Sequence, residues 1–390
     1  MKDHRPSLPF QVTLFTLARI TVNTSFRMVY PFLAVFAAGL NVDISRISLV
    51  LALSMATSAA GPFLAPIADR RGRKVGMMIG MGSFLLGTLS AWLFPGFFTF
   101  FLAVMLGNLG NNIFLPALQA FLGDHTPYEK RGFYLAISEL SWALSFILMV
   151  PLAGLVIEKT TWSGAYALLT LLGGVMMVLL WKLIPNDAPA ENEPLTILKD
   201  IRKVLSQPAA RIGILMGVAF ITGNEVVSVV FGVWMQQSFG LQVAALGAAS
   251  LVIGLSELGG EGVTALLVDR LGKERTVGIS LAANALWSLS LLWLGKSNTG
   301  AFIWLFVFYL TFEVAMVGAL PLMTEVTPAT RATMMALYLA ALSLGRALGD
   351  LAAPLLYRGG FLVNALVCLA LDLLALLALS RLKLPGTAKT

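Results

Sequence analysis

Cysteine, histidine and charged side chains are all scarce in this chain of 390 residues. A single cysteine, Cys368, excludes an intrachain disulfide, and the two histidines, His4 and His125, lack the spacing of a metal site or a catalytic set. Only 12% of residues are charged, 58% are hydrophobic and the mean hydropathy is +0.84. No ordinary soluble globular protein has this composition. We therefore predict an integral membrane protein that is not an enzyme and needs no cofactor or metal.

The net charge is +7, and the basic residues that produce it gather in alternate predicted loops. Of the 27 Lys and Arg residues, 20 lie in loops and tails predicted to be cytoplasmic and 4 lie in outer loops. This bias orients a membrane protein, so it needs no nucleic-acid partner. The first apolar stretch, about 28 residues, is far longer than a signal-peptide core. We predict a multi-pass protein of the cytoplasmic membrane with both termini inside.

The length allows about a dozen spans of about 20 residues each. We predict an all-α fold of twelve transmembrane helices in two pseudo-symmetric six-helix bundles, residues 1–184 and 209–390. Between them, the polar segment 185–208 is predicted to be a cytoplasmic linker with an amphipathic piece. The predicted spans are 10–38, 45–68, two helices within 75–123, a fifth ending at 157, then 162–184, 211–239, 243–268, 277–295, 301–323, 332–357 and 361–382.

A short basic turn occurs twice, 200 residues apart. Residues 65–74 read APIADRRGRK, and residues 265–274 read ALLVDRLGKE. The Asp, Arg and Gly of the first turn recur in the second without a gap, as Asp269, Arg270 and Gly272. A turn that recurs halfway along a hydrophobic chain indicates two copies of one unit.

The turn and the twelve-helix plan resemble the major facilitator superfamily, whose signature after the second helix is Gly-x-Leu-(Ala/Gly)-Asp-Arg-x-Gly-Arg-(Arg/Lys). Residues 65–74 match at most positions, with Ala65 where the family has Gly. In the family such residues pair to hold the cytoplasmic side shut; alternatively, the arginines only orient the chain in the membrane. The resemblance implies a conformational gate made of Asp69, Arg70, Gly72, Arg73, Asp124, Asp269 and Arg270.

A second family motif, Gly-Pro-x-x-Gly on the fifth helix, is associated with exporters that run as antiporters. Residues 150–154 resemble it, with Pro151 and Gly154 matching. A proline in an apolar helix is also tolerated as an ordinary kink. The fourth predicted helix has Asn108, Asn111 and Asn112 where many drug/proton antiporters carry an arginine.

Charged residues inside the predicted spans are the candidate site residues, because a charge at a helix centre costs about 2.5–3.5 kcal/mol on insertion scales. Three cations face seven acids, so one-to-one pairing cannot satisfy every acid. The set is Arg19, Arg27, Glu139, Glu225, Glu257, Glu261, Glu313, Arg346, Asp350 and Asp372. Asp372 has no predicted role, and Arg346 and Asp350, four residues apart, are predicted to satisfy each other.

The family uses its first, fourth, seventh and tenth helices to line a central path, and the repeat places Arg27 and Glu225 at nearly equal depth. We predict a substrate site made of Arg27, Arg19, Asn23, Tyr30, Asn108, Asn112, Trp142 and Glu313. Proton coupling is predicted at Glu225, Glu257, Glu261 and Glu139, because neighbouring carboxylates can load and release protons. Alternatively, the acids are structural partners of the arginines.

Together these features predict a secondary active transporter that moves a small organic solute by alternating access, with proton-coupled efflux by antiport as the first interpretation. A uniporter or proton symporter for a small organic anion is the alternative within the same fold. A non-transporting membrane sensor or assembly factor is the alternative of another class. The predicted partners are the solute, protons and the lipid bilayer, and one chain, as a monomer, contains a complete pathway.

Overall fold

The computed structural model describes residues 7–59, 72–185 and 197–382, except for the side chains of 197–200 and 329. All regular elements in these ranges are helices. In chain order they are α1 Leu8–Arg27, α2 Leu33–Gly39, α3 Ile44–Ser58, α4 Arg73–Leu93, α5 Phe97–His125, α6 Tyr128–Glu139, α7 Ser141–Leu144, α8 Val150–Lys159, α9 Trp162–Leu183, α10 Ile197–Leu205, α11 Pro208–Ser228, α12 Phe231–Phe239, α13 Val243–Leu271, α14 Lys273–Leu289, α15 Leu291–Leu294, α16 Asn298–Val326, α17 Arg331–Tyr357 and α18 Phe361–Arg381. A π-helical turn, Ser145–Met149, joins α7 to α8, and a 3₁₀ turn, Pro328–Thr330, precedes α17.

Ten helical segments in the described part of the chain are long and apolar enough to cross a membrane. The bent pair of α2 and α3, which meet at 113°, raises the number to eleven if it counts as one span. By contrast, α1 is less apolar because it carries Arg19, Asn23 and Arg27. The predicted second span, 45–68, continues past α3 into residues outside the described part. The chain is thus a helical multi-pass membrane protein, while the count of twelve spans and the cytoplasmic termini stay predictions.

The first helix of each repeat is interrupted at the same register. The gap between α1 and α2 and the gap between α11 and α12 lie about 200 residues apart. Pro31 accounts for the first gap, because proline has no N–H to donate to the preceding turn. Tight turns close both gaps, with Val29 N–H donating to Phe26 O at 3.1 Å and Val230 N–H donating to Val227 O at 3.3 Å. The repeat therefore extends from the sequence to the backbone.

The glycines that end the two basic turns share a backbone conformation. Gly72 precedes α4 with φ 94° and ψ 151°, and Gly272 precedes α14 with φ 82° and ψ 158°. Side chains other than glycine rarely adopt this positive φ. A glycine at this position is therefore needed to turn the chain into the helix that follows.

Small residues bring helices together within the described chain. In one case α4 crosses α5 at Gly80, where a Cβ added to Gly110 would lie 2.4 Å from the Gly80 carbonyl oxygen. Close backbone approach at glycine is typical of helix pairs in membranes, where packing rather than the hydrophobic effect drives association. Large apolar side chains such as Leu86 and Trp293 lie exposed on the outer faces of their helices. These faces suit contact with lipid.

Contacts divide the described residues into two units. Unit 1 holds those within Met1–Asp43, Ala60–Glu193 and Gln242–Gly254, and unit 2 holds those within Ile44–Ala59, Pro194–Leu241 and Leu255–Thr390. By this grouping α3 belongs with unit 2 and the first turns of α13 belong with unit 1. The grouping departs from a simple division at the linker, and the predicted six-helix bundles stay a prediction.

Candidate functional site

The polar stripe of α1 packs against the predicted fifth span, which comprises α6, α7, the π-helical turn and α8. Residues spaced by three or four share one helix face, so Thr16, Arg19, Asn23 and Arg27 form a continuous buried stripe. Buried charges inside a membrane need partners. The fifth span supplies partners for this stripe in order along its length.

Arg19 forms the strongest contact of the stripe. Its Nη1 donates to the Ser138 carbonyl oxygen at 2.8 Å and to Glu139 Oε1 at 2.8 Å, and its Nη2 donates to Glu139 Oε2 at 2.9 Å. Gln119 Nε2 also donates to Glu139 Oε1, at 3.2 Å. The pair is a two-pronged guanidinium–carboxylate contact. Its members differ in exposure, since the side chain of Arg19 is 3% exposed and that of Glu139 is 46% exposed.

Arg27 is enclosed by the part of the fifth span where the helix is irregular. Its Cζ lies 4.1 Å from the ring centroid of Trp142 and 3.7 Å from that of Phe146, a cation–π arrangement on both. Its Nη1 also donates to the Trp142 carbonyl oxygen at 2.6 Å. Asn23, one turn earlier, donates to Ser141 Oγ at 3.4 Å. Arg27 is 3% exposed, so a solute would reach its guanidinium only after these contacts had opened.

The other predicted substrate residues of unit 1 lie around α1 and α5. Tyr30 and Asn108 are buried, and Asn112 is half-buried. On α5, Gly107 permits close packing, because a Cβ added there would lie 2.9 Å from Ser25 Oγ on α1. The structure thus brings these side chains to neighbouring helices of unit 1. Their role in substrate binding stays a prediction.

In unit 2, two acids and one arginine meet where α11 packs on α17. This set consists of Glu225, Asp350 and Arg346, and we call it the acid triad. Arg346 Nη1 lies 3.3 Å from Glu225 Oε2. Asp350 is fully buried and lies within electrostatic reach of both other members. The guanidinium thus pairs with Glu225, and a second buried carboxyl group, that of Asp350, lies within its electrostatic reach. With both acids ionised the set carries a net charge of −1, and one proton would neutralise it.

Glycines on α17 account for the closeness of the acid triad. A Cβ added to Gly349 would lie 2.4 Å from the Cβ of Glu225. One turn earlier, Thr222 Oγ1 donates to the Gly345 carbonyl oxygen at 2.9 Å. This approach places the Glu225 carboxylate beside Arg346. It also explains why Arg346 bonds across to α11 instead of to Asp350 on its own helix, as the spacing of four predicted.

A neighbouring helix of unit 2 contacts the turn of α17 that carries Asp350. Ser48 Oγ on α3 donates to the Asp350 carbonyl oxygen at 2.6 Å. Both residues are buried. The acid triad is therefore enclosed by three helices, α3, α11 and α17.

Three further predicted acids of unit 2 lie where α13 meets α16. Gly260 on α13 touches Glu313, because a Cβ added to that glycine would lie 2.7 Å from the Cβ of Glu313. Glu257 and Glu261 are on the turns of α13 adjoining this glycine, where Glu257 is buried and Glu261 half-buried. The structure thus gathers these acids around one helix crossing.

Part of the predicted gate is described and part is not. Asp69 and Arg70 lie outside the described residues. Arg73 Nε lies 3.3 Å from Asp124 Oδ2, which joins the start of α4 to the end of α5. This is one of the pairings predicted for the gate, and its role in gating stays a prediction.

The second repeat contains a matching ion pair that the sequence reasoning missed. Lys273, directly after Gly272, is paired with Glu325 near the end of α16. Asp269 and Arg270, the predicted gate residues of this turn, are exposed. The 200-residue repeat in the sequence indicates this pair, because Lys273 is 200 residues after Arg73 and Glu325 is 201 residues after Asp124.

The proximity of Asp350 to Glu225 is a second feature that the sequence did not reveal. The spacing of Asp350 from Arg346 predicted a local pair, and that spacing contains no information about α11. An excess of acids over cations in the spans was the available signal. This excess indicates that the cations in the spans are too few to pair one-to-one with the acids, but it does not identify the acids concerned.

Comparisons with known proteins agree with this fold. The family model described as Major Facilitator Superfamily matches residues 15–324 and 213–389. The uncharacterised MFS-type transporter YwfA of Bacillus subtilis (strain 168) is 23% identical over 382 residues, covering 96% of this chain and 91% of that protein. A second such transporter of that organism, YceJ, is 26% identical over 305 residues, 75% of each chain.

Two solved structures illustrate the shared architecture. The D-xylose-proton symporter superposes with a TM-score of 0.79 at 16% identity, covering 98% of this chain and 99% of that chain. The human organic anion transporter MFSD10 (TETRAN) superposes with a TM-score of 0.68 at 18% identity, covering 97% and 100%. At these identities the likeness concerns the fold. Because the family model matches residues 15–324 and 213–389, the chain belongs to the major facilitator superfamily of membrane transporters.

Proposed function

We propose that this transporter exports a small organic solute in exchange for protons. The observation that carries the proposal is the acid triad, in which Arg346 pairs with Glu225 while a second buried carboxyl group, that of Asp350, lies within electrostatic reach of both. A single proton changes the net charge of such a set from −1 to zero. Because a buried charge inside a membrane is costly, the protonated and ionised states favour different surroundings. Proton binding is therefore suited to shifting the balance between two conformations.

Export as the direction is supported by the second family motif. In unit 1, a Cβ added to Gly154 would lie 2.8 Å from Phe32 Cζ, and a Cβ added to Gly247 would lie 3.0 Å from Pro151 Cα. The two residues that match the exporter motif thus lie at tightly packed positions. In the family this motif accompanies antiport.

The cargo is proposed to be anionic or zwitterionic with an apolar part. Arg27 and the rings of Trp142 and Phe146 combine a cation with aromatic surface. Since these groups already contact one another, we expect a carboxylate or similar anion to compete with the Trp142 carbonyl for the guanidinium. The symporter and the anion transporter named above have the same fold, which supports alternating access here.

The test begins with thermal-shift screening of purified protein against metabolites and drugs to identify a ligand. Flux of that ligand is then measured in inside-out vesicles, whose lumen corresponds to the cell exterior. With an acidic lumen, antiport predicts ligand accumulation inside the vesicles and its loss when a protonophore is added. Equal accumulation with and without the gradient would overturn the proposal.

A uniporter or symporter for a small organic anion is the second candidate. The observation that favours it is that Glu139 and Glu225 each contact an arginine, Arg19 and Arg346, as structural partners would. In this case an acidic lumen would leave flux unchanged or drive the ligand out of the vesicles. Arg27→Ala would abolish ligand binding while the response to pH stayed as in the wild type.

A further inference from the structure

A second polar cluster lies buried in unit 2, where α14 packs against α16 and against α18. It is centred on Asp372, which is 2% exposed, with Cys368 and Asn284 beside it. Asp372 Oδ2 lies 3.7 Å from Cys368 Sγ, and Cys368 Sγ lies 3.8 Å from Asn284 Oδ1. We call this set the thiol–acid cluster. The proposed transport mechanism makes no use of it.

The orientation of the Asn284 amide is fixed by its donors. Its Nδ2 donates to the Phe308 carbonyl oxygen at 2.7 Å and to Thr311 Oγ1 at 2.8 Å. These two bonds use both amide hydrogens, so Oδ1 faces Cys368 as an acceptor. The Asp372 carboxylate also faces Cys368 as an acceptor. One S–H group therefore stands between two acceptors and can donate to only one of them at a time.

The surrounding groups in the described part of unit 2 do not supply a cation. The basic residues of the packed helices lie at the helix ends, with Arg275 nine residues from Asn284 and Arg381 nine residues from Asp372, about 13 Å along the axis. On α16, Glu313 is an acid at the Gly260 crossing, and on α11, Glu225 is engaged with Arg346. Ser288 Oγ donates to the Asn284 carbonyl oxygen at 3.0 Å.

We propose that Asp372 is a second proton-binding site of this protein, with the proton held between its carboxyl group and the Cys368 thiol. With one S–H group facing two acceptors, the cluster is one hydrogen-bond donor short. Protonation of Asp372 supplies this donor: the carboxyl O–H donates to Cys368 Sγ, and the S–H donates to Asn284 Oδ1. It also removes a charge that is unfavourable inside an apolar span. A hard metal cation fits less well, because it would require about six oxygen ligands, whereas the cluster offers a carboxyl, an amide oxygen and a sulfur.

The measurement is infrared spectroscopy of the purified protein in detergent at neutral pH. A protonated carboxylic acid gives a C=O stretching band that an ionised carboxylate lacks, and the band moves in heavy water. We expect Asp372→Asn, which keeps the shape of the side chain, to remove one such band. We expect Cys368→Ala to keep that band but shift its frequency, because the thiol hydrogen bond is lost. Glu158→Gln, at an exposed position, is the matched control and should change nothing.

The proposal is overturned if Asp372→Asn leaves every acid C=O band in place, because Asp372 would then be ionised. It is overturned equally if Cys368→Ala leaves all bands unmoved, a result that is informative even if Asp372→Asn fails to fold. Disappearance of the band on adding sodium chloride would assign the site to a metal cation instead. Asp350→Asn separates this site from the acid triad, since it should not affect the Asp372 band. These outcomes do not depend on whether protons drive transport.

Discussion

At the scale of single residues, the two members of the Arg19–Glu139 pair are not equivalent. Arg19 is almost fully buried, whereas nearly half of the Glu139 side chain is exposed. Removing one partner of a buried pair is costly when the remaining charge stays buried. The exposed partner can be solvated once its counter-ion is removed, and the buried one cannot.

We therefore expect Glu139→Ala to lower the free energy of unfolding by about 3 kcal/mol, because it leaves a buried guanidinium without its carboxylate. Arg19→Met should cost clearly less. The double variant Arg19→Met with Glu139→Leu should recover most of the loss, since an apolar pair can replace a buried ion pair. Thermal unfolding in detergent measures all three. Equal losses for the two single variants would contradict the asymmetry.

Arg27 gives a second test at this scale. Lysine keeps the charge but loses the flat guanidinium that lies against Trp142 and Phe146. Arg27→Lys should therefore lower the unfolding free energy by roughly 1–2 kcal/mol. Arg46→Lys, at an exposed position, is the control and should be neutral. If both variants unfold at the same temperature, the stacking contributes no stability.

Helical periodicity in the sequence predicts which residues share one face of a helix. It does not predict which residues of different helices contact one another. The stripe of α1 follows from spacing alone. That Arg346 bonds to Glu225 depends on the approach of α17 to α11, which no spacing within α17 reveals. For the same reason the spacing of four predicts a local Arg346–Asp350 pair, whereas Arg346 bonds to Glu225.

At the scale of helices, the α11–α17 contact depends on having no side chain at Gly349. A Cβ there would lie 2.4 Å from the Cβ of Glu225, so one helix must move. Gly349→Ala should cost about 1–3 kcal/mol in unfolding free energy and should also separate Arg346 from Glu225. Gly262→Ala is the control, because a Cβ at that helical position meets nothing within 4 Å. It should be neutral or slightly stabilising; equal costs for both variants would contradict this packing argument.

Helix positions could be predicted far better than helix interruptions. Runs of apolar residues locate the spans, and Pro31 accounts for one break. The break between α11 and α12 contains no proline, whereas the π-helical turn beside Arg27 ends two residues before Pro151, which lacks the N–H of a regular helical hydrogen bond. Such turns are recurrent at functional sites and depend on tertiary contacts.

At the scale of the whole molecule, the 200-residue repeat of the basic turn recurs in the interrupted helices, in the positive-φ glycines Gly72 and Gly272, and in the ion pairs beside them. The grouping of α3 with unit 2 and of the first turns of α13 with unit 1 was not predicted. Contacts of this kind join segments far apart in the chain, and the local patterns of a single sequence do not reveal them.

Orientation in the membrane can be tested directly. Cys368 is fully buried and should not react with a membrane-impermeant maleimide. The loop bias of Lys and Arg predicts that Glu158→Cys reacts in intact cells, and that Glu129→Cys reacts only after permeabilisation. Both native residues are exposed. The reverse pattern would invert the topology and, with it, the predicted cytoplasmic gate.

The acid triad as the site of proton coupling is tested most directly by comparing two activities of Asp350→Asn in proteoliposomes. Exchange of labelled for unlabelled solute at equal pH requires conformational cycling but no net proton movement, whereas accumulation against a gradient requires coupling. The account predicts that exchange persists while gradient-driven accumulation falls by about tenfold or more, with Glu158→Gln retaining both. Accumulation equal to that of the wild type, or an equal loss of both activities, would contradict it.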